Sequence, residues 1–365
     1  MPFSAIDAMS PAFEHTKRQL LQPFRFGQWA RLAVVGLLAG ELSSGGCNTN
    51  YNNFNLPQHP GGTGHFLPSG LAGTNPALFA ALIVVIVVAA LVLSVVLMYI
   101  SSVMRFILFD SVLAMECHIR QGWSRRQGPG WNLFVWKLLF TLATFAAMIV
   151  VVGIPVGFAF VVGWLKEPRE HVLALVLGGI LLFFTFFILI IAISVIYVLT
   201  KDFVVPQMAL EDIGVMEGWR RLWPMMKAEK GGYAAYVGMK IVLAIGAAII
   251  LGIASIIGIL IIMIPAAAVA IAAVLAGKAA GLGWTFSTIA LAVVAGCALL
   301  VVLIFVIALI SVPAIVFFPA YSMYFFAARY PALSTMLYPP PAAPAAPEVP
   351  PYEPPPLPPE PAPIG

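Results

Sequence analysis

The run from Ala77 to Met104 contains no Asp, Glu, Lys or Arg. About 20 apolar residues suffice to cross a hydrocarbon core, and backbone that enters lipid must satisfy its own hydrogen bonds, which here means helix. Further apolar runs follow near residues 131–165, 171–200, 233–264 and 284–312. Whether such runs are core helices of a water-soluble protein or membrane spans is decided by the rest of the chain. With 61% hydrophobic and 9% charged residues, it lies far from the roughly 45–50% and 25% of soluble domains. No stretch is polar enough to enclose a soluble enzyme domain. The fold class expected is therefore an all-α integral membrane protein.

The N-terminal residues 1–27 begin a helix at Ser10-Pro11, a capping residue followed by proline at the first helical position. Phe13, Leu20, Leu21 and Phe24 recur on one stripe, with His15, Lys17 and Arg18 off it. This predicts a basic amphipathic helix on a membrane surface. A shorter apolar run, near 28–44, carries Gly36 and Gly40 and is bracketed by Arg31 and Glu41. Two readings stay open: a retained first span, giving six transmembrane helices, or a cleaved signal peptide with Leu32–Ala39 as its apolar core. Residues 45–76 form a Gly/Asn-rich loop without charge, and 331–365 a proline-rich tail with an extended, solvated character.

Basic residues mark alternate loops. They gather in the N-terminal segment, in residues 105–130 and 201–232, and at Arg329, while the intervening loops carry balanced charge or almost none. The positive-inside rule then puts the N-terminus, both basic units and the C-terminal tail in the cytoplasm, with the chain multi-pass in a bacterial inner membrane. The cysteines Cys47, Cys117 and Cys297 fall outside, inside and within the bilayer on this scheme, so no disulfide framework is expected.

The two basic units echo each other. Ala114, Met115 and Glu116 match Ala209, Leu210 and Glu211; after a one-residue shift Gly122 and Trp123 match Gly218 and Trp219. Basic pairs precede a glycine and an aromatic residue at Lys17-Arg18, Arg125-Arg126 and Arg220-Arg221, and Arg31, Lys137 and Lys240 stand at the start of the spans that follow. The pattern predicts helical hairpins repeated about an axis along the membrane normal and joined by interfacial helices. Ile213, Met216, Trp219, Leu222, Trp223 and Met226 share a helical face. Arg125, Arg126, Arg220, Arg221, Lys227 and Lys230 are thus candidates for contact with headgroups of membrane lipids, anionic ones above all.

Phe203, Pro206, Leu210-Glu211, Gly214-Val215, Glu217 and Trp219-Arg220-Arg221, together with the entry Pro23, Phe24, Gly27 and a displaced Trp29, resemble the membrane domain that accompanies some bacterial glycerophosphoryl diester phosphodiesterases. The resemblance implies a fold and a membrane location. Catalysis in those proteins belongs to a separate soluble barrel, which finds no counterpart here.

No nucleophile elbow, phosphate-cradling loop or metal-ligand spacing occurs; His59 and His65 share a loop without a third ligand. Neither a cofactor, a metal nor nucleic acid is expected. Glu116 and Glu211 hold equivalent places, and glutamates so placed most often neutralise interfacial arginines. Pro155 between Gly153 and Gly157 either unwinds a helix or lies in a close helix contact. The expectation is a non-enzymatic scaffold or complex subunit with a protein partner, the alternative a transporter or channel for a small or lipidic solute.

Overall fold

A computed structural model describes residues 4–41, 76–164, 169–281 and 285–338, and every regular element among them is helical. The proline-rich tail beyond 338, nearly all of the 45–76 loop with Cys47, His59 and His65, and Lys166 and Glu167 lie outside the described residues. The order is α1 (Met9–Leu21), α2 (Phe26–Ala39), α3 (Pro76–Leu113), α4 (Ile119–Val161), α5 (Val172–Leu199), a π-helical turn (Thr200–Val204), α6 (Val205–Glu211), α7 (Val215–Ala228), α8 (Lys230–Ala279), α9 (Phe286–Ala327) and α10 (Pro331–Leu337).

Five stretches are long and apolar enough to cross a membrane: Ala80–Leu113, Ile119–Val161, Val172–Glu211, Lys230–Ala279 and Ser287–Ala327. The sixth expected span is not among them. α2 has 14 residues, about 21 Å at 1.5 Å per residue, against a hydrocarbon core of about 30 Å. It stops because Gly40 takes the left-handed conformation (φ 79°), its N–H donating to Leu37 O while the Glu41 N–H donates to Gly36 O. Those two bonds make a Schellman closure, which turns the chain after a glycine.

The molecule has two zones. In the first, α1, α2, the C-terminal part of α3, the starts of α4 and α8, the π turn with α6 and α7, and the end of α9 with α10 enclose one core, centred on Phe106, Phe203, Tyr236, Tyr321 and Phe325. In the second, the same long helices continue as apolar arms. The most apolar 18-residue window of each of the five candidates is at most 6% buried by protein. Water would make that exposure prohibitive at about 25 cal/mol per Å² of apolar surface; hydrocarbon makes it the natural state. We therefore call the two zones the base and the arms.

α4 runs through Pro155 without unwinding, as α8 runs through Pro265 and α9 through Pro313 and Pro319 to Ala327. A side chain at Gly157 would meet nothing, and one at Gly153 only Ile149 of its own helix, so that pair makes no close helix contact. Close approaches occur in the base instead. A Cβ on Gly36 would lie 2.4 Å from Ile315 Cγ2, one on Gly130 2.6 Å from Val103 Cγ2 and 3.2 Å from its Cα, and one on Gly218 2.7 Å from Val204 Cγ1.

The interfacial units also differ from each other. Residues 105–130 are the end of α3, a short turn and the first turns of an unbroken α4, whereas 201–232 divides into the π turn, α6, α7 and the beginning of α8. Both nevertheless turn on a non-glycine residue in the left-handed region, Met115 (φ 56°) and Asp212 (φ 52°). In both, a glycine of the next helix backs onto the helix before it: Gly122 on Ile107 and Gly218 on Val204.

α1 turns Ala12, His15, Thr16, Gln19 and Leu20 into the protein, while Phe13 and Leu21 of the expected apolar stripe, and Phe24 beyond the helix, are exposed. His15 Nε2 lies 2.8 Å from Val112 O. A carbonyl only accepts, so Nε2 carries the proton and Nδ1 accepts from the Tyr324 hydroxyl at 3.2 Å. Burial holds the His15 pKa below its usual value, keeping the ring neutral.

Because Val103 offers backbone as well as side chain against Gly130, Gly130→Ala overpacks the α3–α4 crossing and is expected to lower stability by about 1–3 kcal/mol. Gly128→Ala, on the same helix with nothing within 4 Å, should leave it unchanged or slightly higher. Thermal unfolding of both variants in one detergent measures the difference.

Candidate functional site

Where the base meets the arms, charged side chains from five elements converge. Glu41, set just beyond the Gly40 turn, receives Arg105 Nη1 of α3 at 2.9 Å and the Lys201 ammonium of the π turn. Arg105 Nη2 also donates to Ala39 O at 2.6 Å, joined there by Ser101 Oγ at 3.3 Å. A cation on the last carbonyls of α2 complements the negative end of that helix. Next to Lys201, Asp202 accepts from the Lys240 ammonium and from Tyr236 OH (3.0 Å), both on α8. Lys137 of α4 completes the layer, sharing a cavity with Arg105 and Lys201.

All these side chains are buried; Glu41 and Asp202 retain only 2% of their side-chain exposure. Charges in a low-dielectric interior persist only when paired and hydrogen-bonded. The π turn is what lets two consecutive residues serve: Lys201 reaches toward α2 and α3, Asp202 toward α8. Wider turns of this kind recur at functional positions.

A second set of ion pairs fastens the base further from the arms. Arg126 holds Asp110 through Nε and Nη2, both at 2.7 Å, and donates from Nη1 to Ala209 O at 2.8 Å. Arg329 grips Glu229 through two bonds of 2.7 Å and lies 3.9 Å from the Phe325 ring centroid. The Arg329 bonds hold the Glu229 carboxyl below its usual pKa. Arg221 pairs with Glu211, which also accepts from Tyr330 OH, and with Glu217 at 3.3 Å.

The proposed headgroup residues thus separate. Arg126 is turned inward and engaged by Asp110 and Ala209, which removes it from any lipid surface. Arg221 is half exposed with both carboxylate partners. Arg125, Arg220, Lys227 and Lys230 are exposed, Lys227 over the Trp223 ring at 5.4 Å. On α7, Val215, Gly218 and Leu222 face the protein, whereas Met216 and Trp223 of the apolar face point out. Glu116 is exposed and makes no ion pair among the described residues, whereas Glu211 pairs with Arg221. Arg31 departs from the pattern of Lys137 and Lys240: its guanidinium reaches toward Cys117 O at 3.5 Å. No group of three or more His, Cys, Asp or Glu side chains is placed to hold a metal among the described residues.

Removing one partner of a buried ion pair leaves the other charge uncompensated and costs about 3–5 kcal/mol. Glu41→Gln, which strands Arg105 and Lys201, is expected to lower the unfolding temperature sharply. Glu14→Gln, which breaks only the exposed Glu14–Arg18 pair, should change stability by no more than about 1 kcal/mol. Parallel melting curves of the two variants test this.

No curated protein and no solved structure matches the chain, and no match links it to the phosphodiesterase membrane domain that residues 203–221 resemble. A family model does match, over residues 3–336. The match takes in the base, the charge layer and all the arms, and the chain belongs to the family of unknown function DUF7544.

Proposed function

We propose that this chain is a non-enzymatic scaffold or complex subunit of a bacterial cytoplasmic membrane, its base and both termini on the cytoplasmic side. The observation that carries the reading is the unshared surface of the arms, whose most apolar windows the protein itself hardly covers. Between α4 and α5 these surfaces form an apolar groove of about 510 Å³, lined among others by Ile154, Pro155, Phe158, Leu175 and Gly178. Such a groove suits the packing of a partner helix, which in lipid depends on close fit and small residues.

The base supports a repeated plan. α3 runs into α4, α6 into α7, and the end of α9 packs on α1 and α2. We read this as three units in a closed ring, each a surface helix, a span leaving the base and a span returning to it, with α2 as the shortened member. A ring of this kind presents three outward arm faces and so three places for partners.

The buried charge layer favours a second reading, a transporter or channel for a small or lipidic solute, because ionisable groups near membrane depth often line pathways. Flux into proteoliposomes carrying the purified chain alone would support it over the scaffold.

The scaffold reading is tested by extraction from native membranes in mild detergent, followed by native mass spectrometry. A stoichiometric co-purifying protein is expected. Gly178→Leu, at a groove position with nothing within 4 Å, should leave the melting curve of the chain unchanged and reduce the partner at least tenfold. A lone monomer with no partner in either preparation contradicts the reading.

A further inference from the structure

In the charge layer four basic side chains, Arg105, Lys137, Lys201 and Lys240, stand against two carboxylates, Glu41 and Asp202. Both oxygens of Glu41 are engaged, by Arg105 and Lys201, and Asp202 Oδ2 receives Lys240 and Tyr236. Two donors are left over. Arg105 Nε is buried and has no acceptor. Lys137 is 8% exposed and has no hydrogen-bond or ion-pair partner among the described residues. Both side chains line one small cavity, with Lys201, Thr200, Trp136 and Tyr197. Donors and positive charge lining a small, partly open cavity, with both Glu41 oxygens already engaged, suit a compact anionic acceptor there.

Size and depth narrow its chemistry. The cavity admits a group of about one water's dimensions, enough for one anionic oxygen with the remainder of its molecule outside. It sits where α3, α4 and α5 pass from the base into the apolar arms. That is the level of lipid headgroups, and Trp136 and Tyr197, side chains favoured at such boundaries, stand at its wall. We propose that Arg105 and Lys137 bind a phosphate oxygen at this cavity, supplied either by the phosphodiester of a phospholipid or by free inorganic phosphate. This site is separate from the exposed basic residues on α4 and α7. It rests on the membrane reading of the arms and holds for a scaffold and for a transporter alike.

The test uses the full chain in detergent. Native mass spectrometry follows titration with phosphatidylglycerol and, as the arm without phosphate, diacylglycerol of the same acyl chains; calorimetry on delipidated protein follows inorganic phosphate. Phosphatidylglycerol is expected to bind in preference to diacylglycerol, and Lys137→Gln to weaken that binding at least tenfold, while Lys278→Gln, an exposed position at the far end of α8 from the cavity, leaves it unchanged. Lys137 has no protein partner to strand, so the variant is expected to fold; Lys137→Met, which keeps the apolar stem, is the second variant. Phosphate binding without lipid preference, again weakened tenfold by loss of Lys137, upholds the site with the free anion as its source. Wild-type protein that binds neither ligand, or variants that bind as wild type does, would overturn the proposal.

Discussion

Two ion-pair systems at the foot of the arms, Glu41 with Arg105 and Lys201 and Asp202 with Lys240, are the interaction on which this architecture turns. They tie α2, α3, the π turn and α8 at one level. Their burial carries a desolvation penalty that only complete pairing offsets, so the geometry that achieves pairing is strongly specified. The Gly40 turn aims Glu41, the π turn divides Lys201 from Asp202, and Tyr236 supplies Asp202 with a further donor. Each of these local choices would be unfavourable without the others.

Above and below that level the forces differ. In the base, helices are held by close packing at Gly36, Gly130 and Gly218 and by aromatic contacts around Phe203, Tyr236 and Phe325. Guanidinium clamps at Arg126 and Arg329 then join segments distant in sequence. In the arms the helices keep their backbone bonds but share little side-chain surface. Local stability follows contact density, so motion of the arms about a fixed base is the mode this arrangement permits. A surface that the chain leaves uncovered is also the surface on which a partner or lipid can act.

The arms were legible in the sequence because an uncharged run such as residues 77–104 has one solution in lipid. Of the echo, the glycines Gly122 and Gly218 each lie close against an earlier helical residue, Ile107 and Val204. What escaped was the charge layer. Lys137 and Lys240 stand out as basic residues at span entries, yet their common destination depends on how five helices meet, which periodicity does not encode. Glu41 and Asp202 carried a signal all the same, since each is an acid at the end of an apolar run, a placement that is costly without a partner. The length of α2 was misjudged for a related reason. Its apolar composition reports burial, and in the base that burial is by protein. The inward face of α1 was not legible, because His15 and Gln19 find partners only in the folded base.

The central claim is that lipid surrounds the arms and that the base lies at one face of the bilayer. Spin labels at Leu91, Ile149 and Ile253 on the arms, and at Arg125 and Arg220 on the base, all exposed positions, test it most directly. In reconstituted vesicles the arm labels should relax with oxygen and be shielded from a water-soluble nickel chelate, and both base labels should meet the chelate from the same side. Arm labels open to the chelate, or base labels reached from opposite sides, would contradict the account.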